Sequence, residues 1–100
     1  MVKIIYDLLV AKQIVIQEVN DADYWLGIDA EIVLSDFHHI QVAESYLILW
    51  ESIPNVLSQR VVYEVELTNI DNTKKVSQFI NKVKAICKTT VDDLYDYSAE

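Results

Sequence analysis

The chain is 100 residues long, 52% apolar and 24% charged, with a formal net charge of −8, the profile of one globular domain with a single core. So large an acid excess excludes nucleic acid and anionic membrane as main partners, because affinity for phosphates is built from lysine and arginine. One glycine, one proline and one cysteine exclude a Gly-rich phosphate loop and an internal disulfide, and fit a reducing, cytoplasmic setting.

The first segment, "MVKIIYDLLVAKQIVIQEV", is apolar, but Asp7 and Lys12 interrupt it and no small-residue cleavage site follows, so it does not read as a signal peptide. No window has the length and apolarity of a transmembrane helix. Ile4, Tyr6, Leu8 and Val10 alternate as in a strand, whereas Ile5, Leu8, Leu9, Val15, Ile16 and Val19 fit a helical stripe. The abundance of β-branched residues favours strand over residues 1–19.

"NDADYWLGIDAE" offers Asp21 and Asp23 to a calcium loop, but a loop starting at Asp21 needs Gly at its sixth position and Glu at its twelfth. Leu26 and Ile32 stand there, so a hairpin turn is the better reading. Residues 24–35 then alternate as a strand: Leu26, Ile28, Ala30, Ile32 and Leu34 on one side, Trp25, Asp29, Glu31 and Val33 on the other. "DFHH" reads as a polar connection. His38 and His39 are too few ligands for a metal site.

Residues 40–50 fit one strand, with Ile40, Val42, Tyr46, Ile48 and Trp50 on one parity and Leu47 and Leu49 making the other parity apolar as well. "IPNVLSQ", with Pro54, reads as a connection. In "RVVYEVELT", Val61, Tyr63, Val65 and Leu67 face one way, and Val62, Glu64, Glu66 and Thr68 the other. "NIDNTKKVSQFINKVKAICK" is an amphipathic helix with Asp71 or Asn72 as N-cap and an apolar stripe of Val76, Phe79, Ile80, Val83, Ile86 and Cys87. The tail, "VDDLYDYSAE", suggests a strap folded back with its carboxylates towards the lysines and with Leu94 and Tyr95 or Tyr97 packing on the helix or the sheet edge.

The expected architecture is therefore α+β: an antiparallel sheet of four or five strands with a C-terminal amphipathic helix packed on one face. Residues 1–91 form one domain, and residues 92–100 an acidic, tyrosine-containing tail.

Charge is segregated along this plan. Residues 1–71 carry three basic and twelve acidic side chains, residues 72–91 five lysines and no acid, and residues 92–100 four acids. If 24–35 and 61–68 are strands, Asp29, Glu31, Glu64 and Glu66 share an outer sheet face. Like charges on adjacent strands repel, so such a face is either spread in solvent or used to meet a cationic surface. Trp25 is a candidate anchor beside it.

No serine lies in a nucleophile elbow, neither histidine has a triad context, and no cofactor motif is present. The expectation is a small, non-catalytic, intracellular binding protein without metal or cofactor. It neutralises or inhibits a basic protein partner, in the manner of an immunity protein, antitoxin or phage-encoded inhibitor. Asp29, Glu31, Glu64, Glu66 and Trp25 form its protein-binding surface. The competing expectation is a self-assembling homo-oligomeric subunit of a virion or secretion complex, or a small chaperone, since strand residues 46–50 are apolar on both faces and the N-terminal segment is apolar too, more hydrophobic surface than one helix covers.

Overall fold

A computed structural model describes residues 1–53, 57–67 and 72–98, with side chains described as far as Cys87. The fold is α+β. Helix α1 (Val2–Ala11) is followed by strands β1 (Glu18–Asn20), β2 (Ala30–Val33), β3 (His38–Val42), β4 (Tyr46–Ile53) and β5 (Ser58–Glu66), and then by helix α2 (Asn72–Ser98). The strands form an antiparallel meander in the order β1-β2-β3-β4-β5. Among the described residues no helix is long and apolar enough to cross a membrane.

The N-terminal segment is helical, which corrects the strand expectation. Its four-residue repeat wins because Ile5 and Leu9 become fully buried in the common core, a larger gain than a solvent-facing strand offers. The helix stops without glycine. Gln13 adopts the left-handed conformation (φ 61°); its N–H donates to the Val10 carbonyl at 2.9 Å and the Ile14 N–H to the Leu9 carbonyl at 3.0 Å. This is a Schellman ending, and Ile14 is buried in the same cluster as Leu9, the apolar contact that accompanies the motif.

Two long strand readings are also corrected. Residues 24–35 are not one strand: β2 begins at Ala30, and residues 24–27 form a turn closed by a bridge between Asp23 and Ile28. Residues 40–50 are two strands joined at Ala43–Ser45, with the Ala43 N–H bonded to the Tyr46 carbonyl at 3.0 Å. That hairpin reverses the parity, so Ile40 and Val42 face the core while Tyr46, Ile48 and Trp50 face away from it. "DFHH" is only half connection, since His38 and His39 open β3. Ser35 organises the turn before them, its hydroxyl oxygen accepting the N–H groups of Phe37 and His38 at 3.2 Å each.

Both helices contribute to one core. Val76, Phe79, Ile80, Val83 and Cys87 of α2 pack with Ile5 and Leu9 of α1 and with Ala30, Ile32, Ile40, Val42, Leu47 and Leu49 of the sheet. The Phe79 ring lies tilted on Tyr63, with centroids 5.9 Å apart. A bulge at Val62 pairs Leu49 with Tyr63 but Trp50 with Val61, so the alternation read through 61–67 holds only from Tyr63 onward. The backbone of α2 stays helical through Ser98, so residues 92–98 continue the helix. The contacts expected of Leu94, Tyr95 and Tyr97, the Pro54 connection, Thr68 and the Asp71 cap lie outside the described residues.

Candidate interaction face

With both helices on one side, no described residue covers the other side of the sheet. Strand register places its residues in rows. One row runs Asn20, Glu31, Gln41, Ile48, Glu64, and the next runs Glu18, Val33, His39, Trp50, Val61. Tyr46 pairs with Glu66, and Asp29 precedes Ala30 on the outward parity. The four carboxylates singled out in the sequence, Asp29, Glu31, Glu64 and Glu66, thus share the helix-free face.

They form two rails. Asp29 and Glu31 lie along β2, and Glu64 and Glu66 along β5. Three strand spacings, about 14 Å, separate the rails. Between them β3 and β4 present His39, Gln41, Tyr46, Ile48 and Trp50, with no carboxylate. The like-charge repulsion anticipated between acidic strands is relieved by this spacing. Among the described residues no side chain pairs with the carboxylates of Glu64 or Glu66.

The strip between the rails is tied into a hydrogen-bonded network that sequence reasoning missed. Asp29 Oδ2 accepts the Tyr46 hydroxyl at 2.7 Å and the Gln41 amide at 2.8 Å. Gln41 Oε1 in turn accepts the Trp50 indole N–H at 3.0 Å. The His39 ring stacks on Trp50 at 6.3 Å between centroids, with Nε2 3.7 Å from Glu31 Oε2. Glu31 Oε1 takes a long contact from the Asn20 amide at 3.4 Å.

The hydroxyl of Tyr46, then the amide of Gln41, hold the Asp29 carboxyl below the usual carboxylate range. The same bond to Asp29, then burial and the charges of Asp29 and Glu64, push the Tyr46 hydroxyl up. At neutral pH the pair is therefore fixed as anion and donor. Recognising the turn at Ala43–Ser45 would have aligned Tyr46 and Trp50 with Gln41 and exposed the strip in the sequence.

Trp25 is not on the strand face where its parity placed it. It sits at the tip of the β1–β2 connection, almost wholly exposed. Two shallow depressions mark the open face. One of 280 Å³ is lined by Gly27, Ile28, Asp29, Ala30, Glu31, His39 and Gln41. Another of 480 Å³ lies among Glu18, Glu31, Val33, Asp36, His39 and Gln59.

The core side of the sheet carries a second polar row at its β3–β5 end. Glu51 accepts from Arg60 at 2.7 and 2.8 Å and faces His38 Nε2 at 3.2 Å. Burial pushes the Glu51 carboxyl up, but the hydrogen bonds and charges of Arg60 and His38 outweigh it and leave the group below its ordinary value. Cys87 is pushed up to about 11, by burial first and by the charge of Glu51 second, so its thiol stays protonated at neutral pH. No three ligating side chains gather for a metal ion among the described residues.

Positive charge lies on the helix side. The Lys75 amine donates to the Glu66 carbonyl at 3.1 Å, and Lys82 sits over the Tyr63 ring at 5.8 Å. No family model matches the chain, and no curated protein and no solved structure matches it.

Proposed function

We propose that the chain is a small acidic docking protein that binds and neutralises a basic protein partner through the helix-free face of its sheet, without catalysing a reaction. One observation carries the reading: Asp29, Glu31, Glu64 and Glu66 lie on that face in two rails, with a carboxylate-free strip held between them. A cationic surface meeting it gains from both rails while stacking on His39 and Trp50, and long-range attraction speeds the encounter. A cytoplasmic immunity protein, antitoxin or phage-encoded inhibitor is the setting this behaviour suits. A net charge of −8 turns nucleic acid away.

The test is a lysine-rich peptide titrated into ¹⁵N-labelled protein. Amide shifts should concentrate on β2, β4 and β5. Glu64→Gln/Glu66→Gln should weaken binding about fivefold or more at low salt, with the difference shrinking at high salt. Shifts located elsewhere, unchanged affinity in the double variant, or preferential binding of a DNA oligonucleotide would overturn the proposal.

A second reading, self-assembly, is favoured by one feature. Helix α1 buries Ile5 and Leu9 but leaves Tyr6 and Val10, one turn apart, exposed on one flank and Ile4 exposed on the other, apolar surface able to pair with a second copy. Light scattering over a wide concentration range decides: a persistent monomer removes this reading, and a closed dimer supports it.

A further inference from the structure

We infer that the tip of the β1–β2 connection is the anchor of the proposed interface, and that the partner offers an apolar cleft rimmed by lysine or arginine into which Trp25 inserts. The inference rests on the docking reading above and adds the chemistry of the surface being recognised.

Tyr24, Trp25, Leu26 and Ile28 are 84%, 98%, 71% and 53% exposed. Single exposed apolar residues are ordinary, but four within five positions, two of them aromatic, form a patch that water penalises. The tip is also held in shape. Asp23 and Ile28 exchange both backbone hydrogen bonds at 2.9 Å, and Asp23 Oδ1 accepts the N–H groups of Trp25 at 3.1 Å and Leu26 at 3.2 Å. Gly27 turns the chain at φ +66°, where a side chain would meet no neighbour but the backbone conformation would be strained. An aromatic presented on a pre-ordered turn loses little conformational freedom on binding, the economy typical of an interface anchor.

Two observations specify the occupant. The 280 Å³ depression runs from Gly27 and Ile28 at the tip to Asp29, Glu31, His39 and Gln41 on the open face, so tip and face form one continuous surface. Asp21, Asp23, Asp29 and Glu31 flank the tip, which places positive charge around any complementary cleft. The same carboxylates repel anionic lipid headgroups.

The test compares two peptides of equal charge, one of lysines in a polar background and one amphipathic with leucines, by following the Trp25 indole N–H resonance and affinity. The amphipathic peptide should bind more tightly and shift that resonance. Trp25→Ala should weaken binding of the amphipathic peptide about tenfold or more, removing its advantage over the polar one. Equal affinity of the two peptides, an unmoved Trp25 resonance, or an unaffected Trp25→Ala variant would overturn the inference while leaving the acidic face intact. A polar peptide that fails to shift the β2, β4 and β5 amides would instead defeat the docking reading itself. Vesicles of zwitterionic lipid serve as the remaining arm; a Trp25 response to them would assign the tip to a bilayer and overturn the proposal.

Discussion

The two sides of this sheet share one backbone and differ in what holds their side chains. On the helix side, Ile32, Ile40, Leu47 and Leu49 are fixed by contact with α1 and α2, and water is excluded. On the open side, Gln41, Tyr46, Trp50 and His39 are fixed by one another, through hydrogen bonds to Asp29 and stacking, in the presence of water. The first arrangement stabilises the fold by area. The second contributes less energy per group but leaves an ordered, anionic, aromatic surface free to meet something else.

The sharpest way to break this comparison is to damage the helix side. Phe79→Ala removes a fully buried ring and should cost about 3–5 kcal/mol in urea unfolding, enough to threaten folding. A loss below about 1 kcal/mol would mean that the core is not where stability resides.

Next comes the polar end of that side. Glu51→Ala leaves His38, 5% exposed, without its acceptor and should cost roughly 1–2 kcal/mol. Because the folded Glu51 carboxyl lies below its unfolded value, its contribution is complete above the unfolded value. It is lost as pH falls through the folded one. Wild type and Glu51→Ala should therefore converge in urea midpoint under acid conditions and separate near neutrality.

Smaller effects sharpen the picture of the open side. Tyr46→Phe removes the leading cause of the lowered Asp29 carboxyl, so the Asp29 titration followed by NMR should move up towards its ordinary value while the fold persists. An unmoved titration would show that the network is not formed in solution. The smallest effect belongs to the tip: Trp25→Ala should change stability by no more than about 0.5 kcal/mol, since the ring touches little of the fold. A larger loss would make Trp25 a structural residue.

Much of this division was legible in the sequence where a single period ruled. Ala30, Ile32 and Leu34 alternate cleanly with Glu31 and Val33. Glu64 and Glu66 alternate with Tyr63, Val65 and Leu67, and the stripe from Val76 to Cys87 has only a helical reading. Legibility failed where two periods overlapped or a turn lacked its usual residues. In α1, Ile4, Ile5, Leu8 and Leu9 satisfy both periods, and the helix ends on a glutamine in a conformation normally given to glycine. Ala43–Glu44–Ser45 reverses the chain with neither glycine nor proline, which hid the shared face of Gln41, Tyr46 and Trp50. Trp25 was misplaced because parity was extended through a turn. The bond from Tyr46 to Asp29 spans 17 residues of sequence, and no local pattern encodes it.

The last strand of the meander, β5, ends the sheet with one margin unpaired by any other strand among the described residues, a nine-residue length that invites stacking into fibrils. Its bulge at Val62 breaks the regular spacing a copy would need, and Glu64 and Glu66 would confront their own kind across the seam. Glu64 and Glu66 thus act as gatekeepers against polymerisation. Replacing them with valine rather than glutamine should make the chain aggregate, read as rising light scattering.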